Sequence, residues 1–142
     1  MSQYSTDTLV RGTKQLGITL SEKQIQQFIR YYELLVEWNS FMNLTAITEY
    51  EEVMEKHFVD SLAAVKVCDF HQVKTLIDIG TGAGFPGIPL KIAFPHLEVV
   101  LLDSLNKRTK FLNEVIQQLG LENIRTIHGR AEDYAKQKEY RE

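Results

Sequence analysis

The chain has 142 residues and a formal net charge of −3. Hydrophobic residues make up 44% and charged residues 25%, which supplies a packed core and excludes the apolar-poor composition of disordered chains. An acidic balance also excludes binding nucleic acid by bulk charge, so any contact with RNA or DNA must come from a local patch of Lys and Arg. The single cysteine, Cys68, rules out an intrachain disulfide framework and a cysteine-rich metal site, and it fits a reducing cytoplasm. No basic segment followed by an apolar run opens the chain, and no stretch approaches ~18 uninterrupted apolar residues. Neither a signal peptide nor a membrane span is expected.

Residues 1–70 read as a helical region. Ser21-Glu-Lys-Gln24 is a capping box, followed at helical spacing by Ile25, Phe28, Ile29, Tyr32, Leu35, Val36 and Trp38 or Asn39. Trp38 and Phe41 are assigned to helix core in preference to base stacking. Thr48-Glu-Tyr-Glu51 is a second capping box, opening a helix towards His57, and a short helix is expected from about Ser61 to Val67. Cys68 closes that apolar run and is assigned to the core.

From residue 71 the pattern changes, with a boundary near Asp69–Lys74. Thr75–Ile79 is a short apolar run ending at glycine, hence a buried strand. Residues 97–102 form a second and residues 124–128 a third. Between them lie helical stretches at about Pro86–Phe94 and Asn106–Leu119, the latter stopped by Gly120. The alternation predicts an α/β fold with an open parallel sheet.

The first strand runs into Asp78-Ile-Gly80-Thr-Gly82-Ala-Gly84-Phe-Pro-Gly87. Three alternating glycines permit a tight turn and leave bare backbone where open α/β sheets bind ligands. The same residues fit the dinucleotide fingerprint G-x-G-x-x-G, a weak match by itself. Pro86 and Pro89 lack the N–H groups that a pyrophosphate needs at a helix N-terminus. S-adenosylmethionine carries no phosphate, and the positive charge of its amino and sulfonium groups suits a carboxylate such as Asp78. Asp103 ends the second strand, about 20 residues beyond the glycines, where an acid accepts ribose hydroxyls. A turn or capping role before Ser104 is its alternative. After the third strand, Gly129-Arg-Ala-Glu132-Asp133 reads either as an adenine contact or as a helix start with ordinary first-turn acids.

These residues together resemble the small-subunit ribosomal RNA guanine-N7 methyltransferases, also called glucose-inhibited division protein B. The resemblance rests on Trp38-Asn39, Asn43-Leu-Thr45, His57-Phe-Val-Asp60-Ser61, the glycine loop, Asp103-Ser-Leu-Asn-Lys-Arg108 and Gly129-Arg-Ala-Glu132. It implies a class I, Rossmann-like methyltransferase domain (residues 71–142) behind a small helical region (residues 1–70). It also implies S-adenosyl-L-methionine as cofactor, contacts at Gly80, Phe85, Ala131 and Glu132, and methyl transfer to a guanine of 16S rRNA. Members of that family continue beyond the point where this chain stops. The chain is therefore expected to be a fragment holding the first half of the sheet, with Thr75–Ile79 left as an exposed apolar edge.

Guanine N7 already bears a lone pair, so the transfer needs no general base, and no catalytic side chain is assigned. The candidate cofactor residues are Asp78, Gly80, Gly82, Gly84, Phe85, Asp103, Ala131 and Glu132. Arg130, Lys107 and Arg108 are candidate contacts to substrate phosphates, with a solvated helix face as the alternative for the lysines. His57 and Asp60 make a poor metal pair, and no metal is expected. They are expected either to anchor the helices against the sheet or to lie near the guanine pocket. The small ribosomal subunit is the expected partner, and the full-length enzyme is expected to be cytoplasmic and monomeric. The rival readings are a methyltransferase for a small molecule, a non-catalytic remnant and a nucleotide-dependent oxidoreductase.

Overall fold

In a computed structural model of the chain, residues 4–130 are described. Helix α1 (Asp7–Gln15) buries Leu9 and Thr13. Helix α2 (Glu22–Asn39) starts at the expected capping box: Ser21 Oγ accepts from the Gln24 N–H at 3.2 Å, and the Ser21 N–H donates to Gln24 Oε1 at 2.7 Å. Its buried residues are Phe28, Ile29, Tyr31, Leu34 and Leu35, so the core-facing stripe takes in Tyr31 and leaves Val36 exposed.

A continuous helical rod covers residues 50–66, with its geometry changing along its length. It comprises α3 (Tyr50–Glu52), a π-helical segment (Val53–Val59), α4 (Asp60–Leu62) and a 3-10 turn (Ala63–Lys66). The cap of this rod differs from the Thr48 box expected. Glu49 is the N-cap, accepting from the Glu52 N–H at 3.3 Å, while the Thr48 carbonyl takes the Tyr32 hydroxyl. The 3-10 turn ends the rod at Lys66, so Cys68 lies beyond it and is exposed, a correction to its assignment to the core. Phe70, 6% exposed, fills the core position instead.

Strands β1 (Thr75–Ile79), β2 (Glu98–Asp103) and β3 (Ile124–His128) form a parallel sheet in the order β1-β2-β3. The register pairs Ile79 with Leu102 and Leu102 with Ile127, so the three strand ends lie side by side. Helices α5 (Gly87–Ala93) and α6 (Asn106–Leu119) make the crossovers, and Gly120 ends α6 in the left-handed conformation at φ 66°. This is the expected α/β arrangement with the first half of a class I methyltransferase sheet.

One sheet face, with Val99 and Leu101, shares a single core with Phe28, Leu35, Phe58, Ile88, Phe111 and Leu112. The opposite face carries a smaller cluster of Val100 and Leu102 against Ile127. On the sheet face that carries Val100 and Leu102, Ile77 and Ile79 of β1, the outermost of the described strands, are 42% and 58% exposed, the exposed apolar surface expected for Thr75–Ile79. Among the described residues no helix is long and apolar enough to cross a membrane.

Candidate functional site

The loop after β1 takes its shape from glycine. Gly80 and Gly82 have φ of 68° and 62°, a left-handed region that side chains disfavour. The Gly80 and Thr81 N–H groups donate to the Leu102 carbonyl at 2.8 and 3.2 Å and tie the loop to β2. A Cβ added at Gly80 or Gly82 would meet nothing within 4 Å, so bare backbone faces open space there. Gly84 and Gly87 serve packing. A Cβ at Gly84 would lie 2.5 Å from the Tyr31 hydroxyl, and one at Gly87 would lie 2.5 Å from Leu101 Cδ2.

Asp78 is placed differently from the sequence expectation. Its Oδ2 accepts from the Thr81 hydroxyl at 2.8 Å and from the Gly87 N–H at 2.9 Å, and the residue is only 9% exposed. Burial raises its carboxyl pKa, the two hydrogen bonds pull it back down, and the Asp103 charge pushes it up again. The carboxylate therefore braces the loop and caps the start of α5. A carboxylate on the first N–H of α5 also weighs against a pyrophosphate at that helix start.

Asp103 lies at the C-terminal end of β2 with its side chain 1% exposed. Oδ2 accepts from the Gly82 N–H at 2.8 Å, and Oδ1 accepts from the Leu105 N–H at 2.9 Å. The second bond is the turn role foreseen as the alternative, and the first joins the acid to the glycine loop. Arg108 Nη1 stands 3.6 Å from Oδ2. That places Arg108 beside the acid, whereas Lys107 is exposed on α6.

A cavity of about 270 Å³ opens over the strand ends, lined by Ile79, Gly80, Leu102, Asp103, Ser104, Gly129 and Arg130. It brings together Gly80, Asp103 and Arg130 from three separate strand ends. Arg130 is exposed at its rim. Ala131 and Glu132 lie outside the described residues.

The far end of the loop rests on the helical region. Tyr31, fully buried, donates its hydroxyl to the Ala83 carbonyl at 2.5 Å. Burial and the Asp78 charge raise its pKa well above the usual phenol value, so it remains a donor. Tyr31 also stacks on Phe58 at 5.0 Å. Phe85 stacks face to face on His57, with centroids 4.4 Å apart and planes 17° from parallel.

His57 is set by its neighbours. Its Nε2 lies 2.7 Å from Thr45 Oγ1, which itself accepts from the Ile47 N–H at 3.0 Å. The Asn39 side chain accepts from the Leu44 and Thr45 N–H groups at 2.8 and 2.9 Å and holds that loop in place. Burial lowers the His57 pKa, and Asp60 opposes the shift. His57 thus joins the helices to the loop, and Asp60 is exposed beside it. Trp38 is partly buried against Phe111, but Phe41 is 65% exposed, a correction to its core assignment, because α2 ends at Asn39.

Two residues of this arrangement were missed from sequence. Tyr31 lies three residues after Phe28 and four before Leu35, so a polar tip on an apolar stripe was its signal. Thr45 had no signal beyond its place in the motif Asn43-Leu-Thr45.

The family model of rRNA small subunit methyltransferase G matches residues 24–141. The chain is similar to the ribosomal RNA small subunit methyltransferase G of Lachnoclostridium phytofermentans, 60% identical over 135 residues, covering 95% of this chain and 56% of that protein. The protein of the same name from Exiguobacterium sp. is 60% identical over 126 residues, covering 89% and 53%. That from Clostridium perfringens is 53% identical over 136 residues, covering 96% and 57%. The chain therefore spans about half the length of the curated relatives it matches. The matched stretch takes in most of α2, the glycine loop and all three strands, and the chain belongs to the rRNA small subunit methyltransferase G family.

Proposed function

We propose that this chain is the cofactor-binding part of an S-adenosylmethionine-dependent methyltransferase that acts on N7 of a guanine in 16S rRNA. The observation that carries the reading is the open space over Gly80 and Gly82 beside the buried acid Asp103, at the carboxyl ends of a parallel sheet. The site suits a phosphate-free adenosine ligand, since Asp78 fills the start of α5. Gly80 and Gly82 would hold the methionine part with bare backbone, and Asp103 would accept from the ribose. The Ala131–Glu132 pair, implied by the resemblance, would meet the adenine.

The cofactor supplies an electrophilic methyl group on a sulfonium. With that group bound, the guanine N7 lone pair would form the new C–N bond as the C–S bond broke, its electrons passing to sulfur. The products are a thioether and a cationic 7-methylguanine. No proton leaves, so this chain's contribution is placement, holding N7 in line with the methyl group. Arg130, Lys107 and Arg108 would meet substrate phosphates. A cytoplasmic enzyme acting on the small ribosomal subunit as a monomer completes the reading.

Calorimetric titration with S-adenosylhomocysteine tests it, after circular dichroism has shown the chain folded. Saturable 1:1 binding is the expected result. A folded chain that ignores the ligand, alongside a full-length relative that binds it, would mean that residues outside this chain are indispensable. If neither binds, the loop assignment fails.

A further inference from the structure

The polar side chains packed on the glycine loop are nearly all spent on the protein itself. Tyr31 donates its hydroxyl to Ala83, Thr81 donates its own to Asp78, and Asp78 and Asp103 accept backbone N–H groups. Thr45 Oγ1 already accepts from Ile47, and the acceptor within reach of its proton is His57 Nε2 at 2.7 Å. The satisfied arrangement has Thr45 donating to Nε2, which puts the ring proton of neutral His57 on Nδ1. Among the described residues Nδ1 has no hydrogen-bond partner. In that arrangement His57, reaching the loop from the π-helical segment, keeps a donor to offer, on a ring stacked against Phe85.

A base methylated at N7 must leave N7 free, so recognition on that edge falls to the neighbouring position. Guanine presents the O6 acceptor there, whereas adenine presents an amino donor. A fixed N–H donor accepts the first and rejects the second. We propose that His57 is a specificity-determining residue of this site, presenting its Nδ1–H to O6 of the guanine whose N7 takes the methyl group. Thr45 sets the tautomer and Phe85 sets the ring plane. This inference rests on the guanine-N7 reading above. A neutral imidazole also suits the product, because the methylated base is a cation that an imidazolium would repel.

Long-range nitrogen–proton correlation spectra of histidine-labelled chain test the proposal, with cofactor absent and again with S-adenosylhomocysteine added. The expected spectrum of His57 shows Nδ1 protonated and Nε2 bare, and Thr45→Val should release this into a tautomer mixture. Titration with guanosine or inosine 5′-monophosphate should move Nδ1. Adenosine 5′-monophosphate should bind about fivefold more weakly, the scale of one hydrogen bond. In His57→Leu, checked for fold by circular dichroism, that preference should vanish, and in His57→Gln, which keeps an amide donor, it should partly return. A protonated Nε2, equal response to the two purines, or no response of His57 to guanosine 5′-monophosphate would overturn the proposal. The S-adenosylhomocysteine arm reports separately on the loop amides. A silent His57 with responding loop amides would sink this inference alone, whereas loop amides silent both here and in a full-length relative would sink the cofactor reading.

Discussion

Asp103 holds the Gly82 N–H on one carboxylate oxygen and the Leu105 N–H on the other, with almost no exposed surface. Each oxygen keeps a further lone pair, and Asp103 lines the cavity over the strand ends, so the bond to the Gly82 amide ties the acid to the loop as one unit. We expect Asp103→Ala to weaken S-adenosylhomocysteine binding by about 1–2 kcal/mol through lost hydrogen bonds, read by calorimetry. Unchanged affinity would leave Asp103 a turn residue only. The glycines allow a sharper contrast. In Gly84→Ala the new methyl meets the Tyr31 hydroxyl at 2.5 Å and Ile88 Cδ1 at 2.8 Å, at a φ of 102°. Overpacking of that kind costs about 1–3 kcal/mol of stability, measurable by urea unfolding. Gly82→Ala meets no atom within 4 Å, so its cost is the left-handed backbone alone, about 1–2 kcal/mol, and its larger effect should be on cofactor affinity. A Gly82→Ala protein that binds S-adenosylhomocysteine normally would move the ligand away from that backbone.

Helix α2 acts on the site through a few side chains that leave its face. Its capping residue Gln24 also donates to the Ile92 carbonyl at 2.9 Å, and Gln27 donates to the Leu119 carbonyl at 2.9 Å, so the helix satisfies the ends of both crossover helices. Tyr31 reaches the loop itself. Tyr31→Phe keeps the ring and its stacking on Phe58 but leaves the buried Ala83 carbonyl without its donor. Stability should fall by about 1–3 kcal/mol in denaturant unfolding, with faster amide exchange in residues 80–85. Unaltered exchange in that loop would show that Tyr31 is ordinary core. The π-helical geometry of Val53–Val59 belongs to the same scale, since it sets the position of His57 on a rod that presents Phe58 to the core.

At the scale of the whole molecule the exposed β1 edge dominates. Ile77 and Ile79 alternate with the buried Asp78, so one face of β1 serves the loop while the other offers apolar surface, next to the outer edge of the described sheet. Ile79→Lys should reduce concentration-dependent self-association in light scattering while leaving the unfolding midpoint nearly unchanged. Self-association that persists at full strength would place the sticky surface elsewhere. The helical region and the sheet also share one core. Phe28, Leu35 and Phe58 pack in the same cluster as Leu101 and Leu112, so the helices stabilise the sheet that carries the site.

What the sequence determined by itself was local. The Ser21 capping box, the strands at Thr75–Ile79 and Ile124–His128, the Gly120 stop and the glycine loop were legible because periodicity, caps and left-handed backbone positions depend on neighbouring residues. The same reach explains where it fell short: Cys68 and Phe41 lie just beyond the ends of their helices, where periodicity carries no information. Tertiary structure decided how the acids and aromatics are used. Asp103 finds Gly82 across 21 positions and Tyr31 finds Ala83 across 52, and His57 meets Phe85 from a different part of the chain. Such pairings follow from how the layers stack. Stacking gave Asp78 the role of bracing the loop, and it set His57 face to face with Phe85 at the loop's far end.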